Sequence, residues 1–512
     1  MNHEKRSKAV LVRALAAAFA ACALAAPARL AAQAPAGDSK ATSASKVERK
    51  NRAPVSKEIL RVKLPQPVET VLPNGVNVLI LEDHRFPLVS VQFLLQGSGA
   101  LLDPADQPGL ASATAQMLRE GTPTRSSKQI VEEIDRLGAT FNANAAFGSN
   151  ATAVNASGLS DNFDQWFALT ADLLLHPSFP ADELAKLKQR LKVQLVQQRQ
   201  QPGFLANELF SRAVYGSHPA AVIATSAQAV EALTPELLAK WHREHYAPQN
   251  TLLAIAGDVN AKELTEKLKT WLGSWQKTGM EVKDPAGTSA VSGRSVHIVD
   301  RPNSVQTTLA MGNIAIMRTS PDYAAMVVLD QILGAGAAGR LFLNLREEKG
   351  YTYGVYSNFV ARKYAGPWRV GGDLRTEVTE GAMTEFVKEL NRIRDEKVSE
   401  RELDEARHAV VASFALSLEQ PVELLGYAAE RKIYGLPTDY WDTYPAVISA
   451  VTAEDVQRVA NKYIQPETMQ IVAVGDAPKI KPVLEKYGPV EVFDVQGKPE
   501  GAKAETPKPG GR

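Results

Sequence analysis

One stretch of this chain is written twice. Thr234-Pro235-Glu236 leads through Trp241 and Tyr246 to Pro248, then into the apolar run Thr251 to Ala256, closing at Gly257-Asp258. Thr452-Ala453-Glu454 leads through Val459 and Tyr463 to Pro466, then into Met469 to Val474, closing at Gly475-Asp476. The paired positions Thr234 and Thr452, Pro248 and Pro466, and Gly257 and Gly475 are each 218 apart. Each copy reads as a helix followed by a strand that ends at Gly-Asp. A repeat of this length predicts two homologous halves, 65–277 and 290–490, with β-rich openings near Val76 and Val296. The polar stretch Gly279 to Gly293, which contains Pro285, is the natural linker. Strands and helices follow one another without strict alternation, so each half is expected to be α+β, a mostly antiparallel sheet packed with helices.

Local patterns fill in the halves. Val76 to Leu81 and Leu88 to Leu95 read as strands around a turn. Ser126 or Ser127 precedes an Ile130, Ile134, Leu137 stripe, the signature of a capped helix. Asp182 to Gln201 reads as a long helix with Leu184, Leu187, Leu191 and Leu195 on one face. Net charge is +1, from 58 basic and 57 acidic residues, which favours neither nucleic acid nor an anionic membrane surface as the partner. The N-terminus carries Lys5, Arg6, Lys8 and Arg13 ahead of the run Ala14 to Ala26, too short for a membrane span of roughly 20 residues. Residues 1–34 are therefore expected to be a signal peptide, and the protein exported to the periplasm without a transmembrane segment. Residues 35–58 and 497–512 are rich in Ala, Ser, Lys, Pro and Gly and are expected to be a disordered leader and tail. The single cysteine, Cys22, lies in the apolar run; it offers a lipid-anchoring alternative and leaves the rest of the chain without a thiol.

Four further segments occur in a telling order. They are Leu72-Pro73-Asn74-Gly75-Val76 with Phe86-Pro87-Leu88-Val89; Gly138-Ala139-Thr140-Phe141-Asn142-Ala143; Gly339-Arg340-Leu341-Phe342; and Leu345-Arg346-Glu347-Glu348-Lys349-Gly350-Tyr351-Thr352-Tyr353. Together with the repeat they resemble the pitrilysin/insulinase superfamily of metallopeptidases, in its short-subunit branch that includes the mitochondrial processing peptidases. The first segment is similar to the family's opening hairpin.

Active members of that superfamily carry an inverted zinc motif, H-x-x-E-H, on a helix. The spacing puts two imidazoles on one face with a carboxylate beside them as general base. Here the frame survives as Gly109-Leu110-Ala111 and Met117-Leu118-Arg119-Glu120-Gly121-Thr122, but its chemistry does not. Ser112 and Gln116 stand at the histidine positions and Ala115 at the general-base position. The third ligand, a later glutamate, falls by resemblance in Val193 to Gln198, which holds no acid. No metal is expected in this chain. Of its eight histidines only His242 and His245, around Glu244, are close, and they read as a solvated helix face. Gly334, Gly336 and Gly339 spell a dinucleotide-type G-x-G-x-x-G, but what precedes them is helix-like rather than a strand.

In the family's active pairs a zinc-bearing subunit meets a second one that brings an Arg and a Tyr to the substrate carbonyl. Arg346 and Tyr353, seven apart, match that element, with Tyr351 as the alternative phenol. A carbonyl gathering negative charge is stabilised by a fixed cation and a phenol donor. Asn142 and Ala143 match the edge strand that receives an extended peptide. The resemblance thus implies a non-catalytic subunit of a heteromeric zinc metallopeptidase, paired with a homologous zinc-bearing subunit and acting on peptides, with zinc in the partner. A stand-alone peptide-binding or scaffold protein of the envelope, and a metallopeptidase with other ligands, are the alternatives.

Overall fold

A computed structural model describes residues 58–289 and 291–500. The expected signal peptide, all but the last residue of the leader, Cys22 and residues 501–512 lie outside them.

The first half opens with β1 (Val68–Val71), β2 (Asn77–Glu82) and β3 (Leu88–Gln96). A helix α1 (Leu110–Met117), a small ladder of β4 (Gly121–Thr122) with β5 (Arg125–Ser126), and α2 (Ser127–Leu137) follow. Next come β6 (Thr140–Asn144), β7 (Ala151–Leu159), α3 (Phe163–Leu175), α4 (Ala181–Gln198), α5 (Pro202–Tyr215), α6 (Ala227–Ala232) and α7 (Pro235–His245). The half closes with β8 (Thr251–Gly257) and α8 (Ala261–Trp271). The helix starts follow capping chemistry: the Ser126 hydroxyl accepts the Gln129 amide, and the Gln129 side chain accepts the Ser126 N–H. Ile130, Ile134 and Leu137 are buried beneath it, as the stripe predicts.

The sheet order is β1-β2-β8-β3-β7-β6, antiparallel except where β2 runs parallel to β8. The expected pairing of β2 with β3 around a turn is not what forms. β8 lies between them, and β2 makes its hairpin with β1. Every residue of β8 is buried, so its backbone N–H and C=O groups must be bonded on both edges, which a central place provides. Gly257 ends β8 with φ +137°, and a Cβ there would lie 2.1 Å from the Leu88 carbonyl oxygen. At Gly257 the glycine is thus a requirement of backbone approach, whereas at Gly475 the nearest atom to a Cβ would be the Thr307 hydroxyl at 3.1 Å.

The second half repeats the plan. It comprises β9 (Ser295–Asp300), β10 (Gln306–Ile316), α9 (Tyr323–Leu333), a π-helical segment Phe342–Glu348, β11 (Thr352–Ala361) and β12 (Ala365–Arg375). Then follow α10 (Thr379–Asp395), α11 (Glu400–Ser417), α12 (Pro421–Tyr434), α13 (Tyr440–Ala450), α14 (Ala453–Tyr463), β13 (Gln470–Gly475), α15 (Ala477–Leu484) and β14 (Val490–Phe493). The order β11-β12-β10-β13-β9-β14 matches the first sheet strand for strand, with β13 in the place of β8 and β11 in the place of β6. The outermost strand differs: β1 precedes its neighbour in the chain and runs antiparallel, whereas β14 is the last strand and runs parallel to β9. The second sheet therefore continues past 490 to Phe493. The chain from 497 to 500, expected within the disordered tail, folds back, with the Glu500 N–H bonded to the Val492 carbonyl at 2.7 Å.

Each sheet has one face on the helices of its own half. The opposite faces are covered by exchange. Leu205, Leu209, Phe210 and Val214 of α5 pack against Val299, Ala310, Val472 and Val474 of the second sheet. Leu425, Ala428 and Ala429 of α12 pack against Leu79, Leu81, Leu252, Ala254 and Ala256 of the first. Both helices start at Gln-Pro and end before Gly, so the exchange is itself part of the repeat. Burying one such aliphatic or aromatic side chain contributes about 1.5–3 kcal/mol, so the interlock is a major share of the fold. Arg318 anchors α12 and α13: its guanidinium pairs with Glu430, donates to the Tyr440 hydroxyl at 3.1 Å and lies 4.0 Å from the Tyr323 ring centre. No single helix among the described residues is long and apolar enough to cross a membrane.

Candidate functional site

Ser112 and Gln116, expected at a degenerate zinc motif, and the expected third-ligand window meet in one pocket. Pro108 and Gly109 precede α1, and Gly109 takes φ +94°, where a Cβ would sit 2.8 Å from Cβ of Thr225. The Asp103 carboxylate caps the helix, accepting the Gly109 N–H at 2.6 Å and the Ala111 N–H at 2.9 Å. Burial raises Asp103 to about 6, against the lowering effect of these backbone donors. The carboxylate is therefore spent on the helix end. Leu110, Ala111 and Ala115 turn into the first-half core. Ser112 and Gln116, one turn apart, face the other way, with the Gln116 Nε2–H donating to Ser112 Oγ at 3.2 Å.

Opposite them stands α4. Its predicted leucine stripe divides: Leu184 and Leu187 are core, whereas Leu191 and Leu195 line the pocket together with Gln194 and Gln198. Phe147, just after β6, and Ile223 to Thr225, just before α6, complete a pocket of about 170 Å³. The loop carrying Phe147 is held from the second half, where the Tyr364 hydroxyl and Arg362 Nη1 both donate to the Gly148 carbonyl, at 2.7 and 2.8 Å.

This donor set does not fit zinc. Of the residues expected at the motif, Ser112 and Gln116 line the pocket and Ala115 does not, lying 1% exposed in the core. Of the third-ligand window, Gln194, Leu195 and Gln198 line the pocket. Neutral carboxamides and a hydroxyl are poor zinc ligands beside imidazole, carboxylate or thiolate. No cluster of three His, Cys, Asp or Glu side chains that could hold a metal occurs among the described residues. Gln194 and Gln198 fell within the expected third-ligand window, but only the fold selects which residues of α4 line the pocket.

His242 and His245 are neither a metal pair nor a solvated face. The His242 Nε2–H donates to the Leu174 carbonyl at 2.8 Å, and burial lowers this imidazole to about 4. His245 stacks on Trp241 at 3.7 Å and donates through Nδ1 to the Gly97 carbonyl at 2.8 Å. The helix α7 packs against α1, and both rings are half-buried. Gly334, Gly336 and Gly339 follow helix α9 rather than a strand. A Cβ on Gly339 would lie 2.6 Å from Cα of Gly334, so these glycines close a tight turn.

Arg346 sits in the π-helical segment, its guanidinium 4.8 Å from the Phe342 ring centre and 3.5 Å from Glu347, its side chain 43% exposed. The segment is fixed by Asn344, whose Nδ2 donates to Glu385 at 2.9 Å and Glu389 at 2.8 Å on α10. Such wide turns recur at functional sites, and no sequence signal announced this one. Tyr353 on β11 is 86% exposed. Tyr351, the alternative phenol, has its ring against α10, where a Cβ on Gly381 would meet it at 2.8 Å. Among the described residues no hydrogen bond or cation–π contact joins Arg346 to Tyr353, although the segments that carry them touch. Asn142 and Ala143 lie on β6, the last strand of its sheet, with Asn142 exposed and Ala143 buried; α1 packs on the same strand.

Comparison with known proteins agrees with this architecture. Residues 78–224 match a family model described as insulinase (peptidase family M16), and residues 232–410 one described as peptidase M16 inactive domain. An uncharacterized zinc protease of Rickettsia felis is 26% identical over 413 residues, covering 78% of this chain and 96% of that protein. One of Bacillus subtilis is 22% identical over 347 residues, covering 68% and 83%. The crystal structure of a peptidase M16 inactive domain from Pseudomonas fluorescens superposes with a TM-score of 0.73 at 28% identity, over 80% of this chain and 98% of that one. A protease from Helicobacter pylori has the same fold, with a TM-score of 0.74 at 19% identity, over 80% and 100%.

Proposed function

Because this chain belongs to the insulinase family of peptidases (M16), we propose that it serves peptide cleavage without a zinc of its own. It is the non-catalytic subunit of a heteromeric zinc metallopeptidase and supplies Arg346 and Tyr353 to a homologous zinc-bearing subunit. The observation that carries this reading is the pocket beside α1, in which every metal-ligand position is a neutral side chain. Chemistry that needs a metal-bound water must then come from another chain. The exposure of Arg346 and Tyr353 supports the second part: a cation and a phenol left open to solvent can reach a carbonyl held elsewhere. The open edge at Asn142 and Ala143 suits pairing with an extended peptide backbone. The basic and apolar start of the chain supports a periplasmic location for the assembly.

The test is metal analysis and peptide hydrolysis on the purified chain, alone and mixed with an H-x-x-E-H homologue from the same genome. The expected result is a metal-free, inert chain and an active mixture. In the mixture, Arg346→Ala and Tyr353→Phe each lower kcat by about 100-fold, the order seen when one donor to a developing oxyanion is removed. A chain that alone retains stoichiometric zinc and hydrolyses peptides refutes the proposal.

A further inference from the structure

The pocket in place of a zinc site has a chemistry of its own. We propose that it binds the uncharged carboxamide side chain, glutamine or asparagine, of a peptide lying extended along β6. This goes beyond the subunit reading and holds whether or not a second chain is present.

Size comes first. The pocket measures about 170 Å³, and an apolar cavity of about 150 Å³ accommodates a benzene, so a single side chain of glutamine size fills it. Charge comes second: no Asp, Glu, Lys, Arg or His lines it. A carboxylate entering it would meet no cation and an ammonium no anion to offset the hydration it gives up there.

Hydrogen bonding comes third. Gln194, which is exposed, and Gln198, which is half-buried, line the pocket, and among the described residues neither side chain is hydrogen-bonded to another protein group. Gln116 is bonded to Ser112 through Nε2, which leaves its Oε1 and the Ser112 proton available. The walls therefore present both N–H donors and carbonyl acceptors. Another carboxamide, with two donors and two lone pairs on one planar head, satisfies both kinds at once. A hydrocarbon side chain of equal volume would leave these groups without partners. The aliphatic Leu191 and Leu195 and the ring of Phe147 cover the methylenes behind the head group.

Placement comes fourth. The edge strand β6 runs through Asn144 toward Phe147, so its open edge leads to the pocket wall. A peptide added to that edge would project every second side chain toward one face, and one of them reaches the pocket beside the pairing strand.

The experiment uses the full chain, without a second subunit. Fluorescence anisotropy measures its affinity for labelled ten-residue threonine- and valine-rich peptides carrying Gln, Asn, Glu, Lys or Leu at the central position. The Gln or Asn peptide is expected to bind at least tenfold more tightly than the Glu, Lys and Leu peptides. The double variant Gln194→Leu with Gln198→Leu is expected to reduce this preference below twofold and to raise affinity for the Leu peptide. Both positions lie at the surface of α4, and an unchanged melting temperature certifies the fold. Equal affinities across the set, tighter binding of the Glu or Lys peptide, no binding of any peptide, or a preference that survives the double variant would each overturn the proposal. Hydrolysis by a mixed complex is not part of the readout, so the subunit reading stands or falls separately.

Discussion

Removing the ring of Phe210 will show whether the two halves are one folding unit. Phe210 is 2% exposed on α5, which belongs by sequence to the first half but packs on Val299, Ala310, Val472 and Val474 of the second sheet. A phenylalanine buries roughly 150–200 Å² of mostly apolar surface. At about 25 cal/mol per Å² the transfer loss is about 4–5 kcal/mol for the whole side chain. Phe→Ala changes in cores cost about 3–5 kcal/mol once cavity and partial collapse are included. Phe210→Ala is therefore expected to destabilise the protein by about 4 kcal/mol in urea unfolding followed by tryptophan fluorescence and circular dichroism. Val193→Ala, on the exposed part of α4 where Val193 is 56% accessible, is the matched control and is expected to change stability by less than about 0.5 kcal/mol. The decisive readout is native-state hydrogen exchange. In Phe210→Ala the amides of β10 and β13 should lose protection at least as much as those of β3, because the lost contact lies on the second sheet. Loss of protection confined to residues 65–277, or a stability change below about 1 kcal/mol, would refute the interlocking account.

Two further outcomes follow from single groups. His242 is lowered to about 4 by burial, against 6.5 when exposed, so the folded state favours its neutral form. Its contribution is fully present above pH 6.5 and is lost as pH falls toward 4, at about 1.4 kcal/mol per unit and up to about 3 kcal/mol in all. Denaturant titrations at pH 7 and pH 5 should therefore show a smaller acid loss in His242→Gln than in the wild type; an equal loss would assign the acid sensitivity elsewhere. Ser112→His with Gln116→His and Gln194→Glu should take up about one zinc per chain where the wild type takes none, since two ligands one turn apart would face a third across the pocket. Failure of that variant to hold zinc by elemental analysis would mean that Gln194 is not within ligand reach of α1.

Some of this was open to reading from residues alone, because its causes are local or repeated. The 218-residue echo ending at Gly257 and Gly475 implied two alike halves, since a segment that needs a buried central strand in one place needs it in the other. The Ser126 cap followed from hydrogen bonds that span three residues. That Ser112 and Gln116 are poor metal ligands was legible because side-chain identity decides what can ligate a metal. Other features were set only when distant segments met. Periodicity tells which face of a strand is apolar but not which strand lies beside it, so β8 between β2 and β3 could not be read. The burial of Ala115, the half-burial of His242 and His245, and the choice of Gln194 from its neighbours depend on what packs against each helix. The exchange of α5 and α12 has the same origin: an amphipathic helix records that it must cover an apolar surface, and only the assembled tertiary structure determines whose surface that is.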